Sequence, residues 1–129
     1  MTNPEKIDYA TTTRAGKITQ GGGDVRKRHM EQWTEAIQDW TDWLHAAGKS
    51  RNTIRLRRYQ LMRIAMDLEF RTSPWKVTTD ELIEWTSSKD WSTNTRRTYR
   101  DALRTFYAWA KLTGRIKKNP AEKLPSIRA

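Results

Sequence analysis

The sequence predicts an all-α protein, a compact bundle of four main helices with a flexible N-terminal arm and an extended C-terminal strap. Apolar residues recur at helical spacings of three and four, cap and stop residues bracket each such stretch, and no stretch alternates as a half-buried strand would.

Residues 1–28 have no apolar periodicity. They contain Gly16, then Gly21-Gly22-Gly23, then the basic cluster Arg26-Lys27-Arg28, which reads as a flexible arm. From Met30, Trp33, Ile37, Trp40 and Leu44 mark one face of a first helix, flanked by Trp43 and Ala47 and stopped by Gly48. Ser50 offers a cap hydroxyl for a second helix reaching about Glu69, with Ile54, Leu61, Ile64, Ala65 and Leu68 inward. Pro74 interrupts the chain, and Thr78 with Glu81 forms a capping box opening a short third helix through Leu82, Ile83 and Trp85. Ser92 caps a fourth, whose apolar face is Tyr99, Ala102, Leu103, Phe106, Tyr107 and Ala110, and Gly114 stops it. Residues 115–129 carry five Lys or Arg with Asn119-Pro120 and Pro125, and read as an extended basic strap rather than a packed element. The expected organisation is therefore arm 1–28, helical domain 29–114 and linker 115–129, with a domain boundary expected at the strap.

A length of 129 residues with 36% hydrophobic content allows one small core and excludes a large multidomain enzyme. No cysteine is present, so disulfides, thiolate metal sites and cysteine nucleophiles are excluded. No signal peptide or membrane span is visible, and the expected location is the cytoplasm. Twenty-five Lys plus Arg against fifteen Asp plus Glu give a net charge of +10, which makes nucleic acid the first suspect among partners. The charge is segregated: 51–63 holds five Arg and no acid, whereas 29–47 holds Glu31, Glu35, Asp39 and Asp42 and no Lys or Arg.

Catalytic constellations are not found. His29 and His45 are sixteen residues apart and read as surface histidines, so no metal site is expected. The triple glycine lacks the Gly-Lys-Ser/Thr ending of a phosphate loop, and the acids of the first helix flank an aromatic face without a marked pocket. No cofactor is implied. Trp33, Trp40, Tyr99, Phe106 and Tyr107 are in phase with aliphatic residues and read as core; Trp75 and Trp91, in connections, leave core packing and base stacking open.

The arginines carry more information. Arg97, Arg100 and Arg104 fall opposite the apolar face of the fourth helix as an outward cationic stripe, and Arg51, Arg55 and Arg58 repeat this on the second, with Arg58 near the edge of the apolar face. Both stripes begin at helix N-termini, where free N–H groups and the positive dipole end favour phosphate. Ser50, Asn52, Thr53, Thr93, Asn94, Thr95 and Arg96 occupy the same first turns. Asn can pair with an adenine edge, Thr can touch a thymine methyl and Arg can fork onto guanine, so two neighbouring helix starts of this kind suit one major groove. Lys117 and Lys118 add strap charge. Ser50-Arg51-Asn52-Thr53 is echoed 42 residues on by Ser92-Thr93-Asn94-Thr95, either as one cap sequence used twice or as a duplication.

Order and spacing of further residues add a resemblance. Trp40-x-x-Trp43-Leu44, Gly48-Lys49-Ser50-Arg51-Asn52-Thr53-Ile54, Val77-Thr78-Thr79-Asp80-Glu81-Leu82, Ser92-x-x-Thr95, the run from Ala102 to Ala110, Gly114-Arg115-Ile116, Asn119-Pro120-Ala121 and Leu124-Pro125 together resemble the core-binding, SAM-like domain of tyrosine recombinases, particularly phage integrases. Arg57 departs from the pattern, standing where the family often has an aromatic residue, with Tyr59 close by. The resemblance implies binding of double-stranded DNA at core recombination half-sites, with the starts of the second and fourth helices in the major groove and other recombinase protomers as partners. It further implies a C-terminal catalytic domain, absent here, that cleaves DNA through a 3′-phosphotyrosyl link without metal or cofactor. This chain alone is then expected to be inactive, and neither Tyr99 nor Tyr107 is nominated as nucleophile. A stand-alone helical DNA-binding regulator or a protein-interaction module is the alternative.

Overall fold

The computed structural model describes residues 17–128, with side chains from residue 23 onward. It is all-helical: α1 (Lys17–Ala46), α2 (Arg51–Asp67), a single 3-10 turn (Pro74–Lys76), α3 (Thr79–Ser87) and α4 (Thr93–Leu112). Among the described residues there is no strand. No described helix is long and apolar enough to cross a membrane.

The caps form where the sequence places them. The amide of Thr53 donates to the Ser50 hydroxyl at 3.2 Å and that of Thr95 to the Ser92 hydroxyl at 3.1 Å, satisfying donors that a helix start leaves open. The echoed sequence is thus one cap geometry realised twice. Thr78 and Glu81 complete the capping box, with the Thr78 amide donating to Glu81 Oε1 at 2.9 Å and the Glu81 amide to the Thr78 hydroxyl at 3.1 Å. Gly48 and Gly114 both adopt φ 82°, the left-handed stop expected after α1 and α4.

The core is built round one ring. Phe106 of α4 meets Trp40 edge-on at 5.3 Å, lies parallel to Trp75 at 5.9 Å and to Trp33 at 6.4 Å, and reaches Trp109 at 5.7 Å between centroids. Two helices and the 3-10 turn therefore converge on one side chain. A second cluster joins Trp85 of α3, Trp91 and Tyr99, with Trp91 stacked on Tyr99 at 4.3 Å. Trp75 and Trp91, left open by the sequence, are half-buried and pack against the core. Trp109, Val77 and Ala36 join it without having been marked by the periodicity. Tyr107 is buried and donates to the Pro74 carbonyl at 3.0 Å, and burial pushes its hydroxyl far above the ordinary tyrosine range.

Three expectations change. α1 begins at Lys17, so residues 17–28 are helical where an arm was expected; a glycine-rich segment hides helix from any periodicity test, because glycine leaves no side chain to bury. Residues 1–16 of that arm lie outside the described residues. The strap forms no regular element but is packed: Ala121 and Leu124 are buried in the core, Thr79 donates to the Pro120 carbonyl at 2.7 Å, and Arg115 bonds Asp39 of α1 at 3.2 Å while lying over the Trp109 ring. Two apolar side chains suffice to seat it, and two residues make no period. His29 is half-buried, its Nδ1 2.8 Å from the Phe70 carbonyl, whereas His45 is exposed. That carbonyl belongs to a corner in which Glu69 and Phe70 both take positive φ, 57° and 53°, and the corner is held again by Trp33 Nε1 donating to the Thr72 carbonyl at 2.9 Å.

Candidate nucleic-acid interface

α2 packs against α4. Thr53 and Arg57, early in α2, line one groove with Thr105, Ala108 and Trp109, late in α4, while further along α2 the Gln60 amide meets the Thr98 hydroxyl at 3.2 Å. The C-terminal end of α2 meets α3, where Trp85 Nε1 and Lys89 both donate to Asp67, at 2.9 and 2.6 Å. α3 then passes the chain straight into α4. The two helix starts thus belong to helices that meet at Gln60 and Thr98, nine residues after Arg51 on α2 and five after Thr93 on α4.

The first turn of α2 is open. Ser50, Arg51, Asn52 and Arg55 are exposed and Thr53 is half-buried; Arg55 donates to Asn52 Oδ1 at 3.0 Å, a bond on the surface that a ligand can replace. Among the described residues no carboxylate lies within ion-pair distance of Arg51 or Arg55. Arg58 is different. It remains exposed but turns to α1, donating to Gln38 Oε1 at 3.2 Å and to the buried Thr41 hydroxyl at 2.9 Å, so it ties two helices together.

On α4, Thr93, Asn94 and Arg97 are exposed, and Thr95 is half-buried through its cap. Arg96 donates to the carbonyls of Thr86 and Lys89, each at 2.6 Å, and lies over Trp91, closing the end of α3. Arg100 donates to the Pro125 carbonyl at 2.7 Å and the Leu124 carbonyl at 3.2 Å, anchoring the strap. Arg104 is half-buried, its Nε lacking a partner among the described residues, and its carbonyl accepts from Asn119 at 3.4 Å. The expected row of three outward guanidinium groups is thus reduced to Arg97 with a partly covered Arg104. The reason is the strap, whose Leu124 and Pro125 carbonyls are satisfied by Arg100. Lys117 and Lys118, on the strap, are exposed.

Three residues of the same surface escaped the sequence reading. Leu56 and Tyr59, 46% and 57% exposed, lie on the outer face of α2 beside Arg63. Leu56 stands four residues after Asn52 and Tyr59 four after Arg55, and that spacing is the signal that could have found them. Arg57, at the departure from the family pattern, is half-buried and donates to the Thr98 carbonyl at 3.1 Å. Desolvation lowers its pKa, opposed by the charge of Asp101, and its role is to join α2 to α4. Among the described residues no three His, Asp or Glu side chains gather as metal ligands.

No protein-family model matches the chain, and no curated protein matches it. Among solved structures it is similar to an integrase from mycobacterium phage Brujita, with a TM-score of 0.66 and 23% sequence identity over 72% of this chain. The match spans 32% of that integrase, about a third of its length. At this identity the likeness shows a shared fold, the helical bundle described above, which is therefore integrase-like.

Proposed function

We propose that this chain binds double-stranded DNA as the core-binding domain of a phage-type tyrosine recombinase, gripping a core recombination half-site. The observation that carries the reading is the pair of exposed, carboxylate-free first turns, Arg51, Asn52 and Arg55 on α2 and Asn94 and Arg97 on α4, set on an integrase-like bundle. Along their helices they lie about 14 and about 8 Å from the Gln60–Thr98 contact, a span shorter than one turn of B-form DNA, roughly 34 Å, so one duplex can meet both. Arg51 and Arg55 would meet phosphates or guanine edges, Asn52 and Asn94 adenine edges, and Leu56 or Tyr59 thymine methyl groups. In this reading strand cleavage belongs to a separate catalytic domain, other recombinase protomers sit on the same DNA, and the arm–domain–linker division of 1–28, 29–114 and 115–129 persists as a functional one with a seated linker.

Duplex titration of the full chain over a range of salt tests it. The expected result is an affinity that falls steeply with salt, and a further loss of about 1–3 kcal/mol for Arg97→Ala wherever that residue reads a base. Duplex affinity insensitive to salt and to Arg51→Ala, Arg55→Ala and Arg97→Ala overturns the reading in favour of a protein-interaction module.

A further inference from the structure

A cleft of about 800 Å³ lies at the far end of α4, between the 3-10 turn, the first turn of α3 and the strap. Lys76, Lys111, Lys117, Lys118 and Lys123 line it, with Glu122 the one acid. All five lysines are exposed, and among the described residues none pairs with a carboxylate. Arg115 also lines the cleft but is committed to Asp39 and Trp109, so it shapes the wall. Thr78 and Thr79 bring the positive end of α3 to the same wall.

Five unpaired ammonium groups facing one cavity repel each other, an arrangement relieved by a polyanion. The cleft is continuous with the proposed interface: on a 100° per residue projection Lys111 falls within about 40° of Arg97 and Arg104, on one edge of α4. From Arg97 to Lys111 that edge runs about 21 Å, less than a turn of duplex.

We propose that this cleft is a second nucleic-acid site, holding the sugar-phosphate backbone of the same duplex beyond the stretch met by the start of α4, with Lys76, Lys111 and Lys123 as its principal phosphate ligands. It rests on the duplex-binding reading and extends it from a groove contact to a partial wrap. Lysine suits the role, as a mobile point charge that meets phosphate without reading sequence.

The test compares the full chain with its Lys76→Gln/Lys111→Gln/Lys123→Gln variant on duplexes of about one and about two turns. All three positions are exposed, and circular dichroism verifies the fold. The wild type is expected to prefer the longer duplex and the variant to lose that preference. Each lost phosphate contact lowers the salt slope by about 0.9, so between 50 and 200 mM salt the wild type should lose roughly fortyfold more affinity than the variant. A wild type that binds duplex, with a variant of unchanged slope and length preference, overturns the cleft proposal alone. Absence of duplex binding by the wild type overturns both. Loss of poly-glutamate binding by the variant with duplex binding intact assigns the cleft to an acidic polypeptide and likewise overturns it.

Discussion

Arg96 donates to the Thr86 carbonyl at 2.6 Å, fastening the end of α3 to the first turn of α4, while Arg97, next in the chain, stands exposed. Neighbouring arginines thus serve opposite ends. Arg96→Ala should lower stability by about 1.5–3 kcal/mol, the range for hydrogen bonds to a charged group. Arg97→Ala should leave the unfolding midpoint in place and weaken duplex binding. Denaturant titration beside duplex titration separates them.

Arg58 makes the same distinction on α2. Its bonds to Gln38 and Thr41 bridge α1 and α2, so Arg58→Ala is expected to cost about 1–2 kcal/mol, a fall of several degrees in Tm for a domain of this size. Arg55→Ala, whose one described bond is to nearby Asn52, should stay within about 0.5 kcal/mol of wild type. Calorimetry of both variants checks the contrast.

Asp67 ties α2 to α3. Desolvation pushes its carboxyl up, but bonds from Lys89 and Trp85 and the charges of Lys89 and Arg63 outweigh this and hold it below the ordinary aspartate range. A carboxyl depressed in the folded state contributes stability that is present above its unfolded pKa, about 3.9, and lost as pH falls through the folded value. Asp67→Ala should cost about 2 kcal/mol near neutrality, since the Trp85 indole loses its acceptor. The gap to wild type should narrow below about pH 4. Chemical unfolding between pH 7 and 2 would reveal it; a gap independent of pH contradicts the assignment.

Glycine acts in both directions. A Cβ on Gly23, within α1, meets nothing within 4 Å, so Gly23→Ala should add about 0.5–1 kcal/mol of helix stability. Gly48 and Gly114 also have room, but at φ 82° a Cβ is strained, and alanine there should cost about 1–2 kcal/mol. Thermal melts of the three variants should give these opposite signs.

Legibility from sequence follows the range of the interaction. Ser50, Thr78 and Ser92 act on amides three residues away, so the caps and most of the core periodicity could be read directly. Arg58, Arg96 and Arg100 could not, because their acceptors lie 7 to 25 residues away, several of them carbonyls that every residue type carries. The placing of α3 against α2 was hidden for a related reason: it depends on the corner at Glu69 and Phe70 and on the Trp85–Asp67 bond, neither of which has a periodic signature. The lysine cleft joins positions 76, 111 and 123, which only the fold brings together.

The indoles of Trp33, Trp40, Trp75 and Trp109 crowd one benzyl group. Their ultraviolet emission will therefore shift as one cooperative signal when the bundle melts, whichever helix is perturbed first. Trp43, 43% exposed in the groove beside Trp40 and Trp109, adds emission that answers to solvent at the surface.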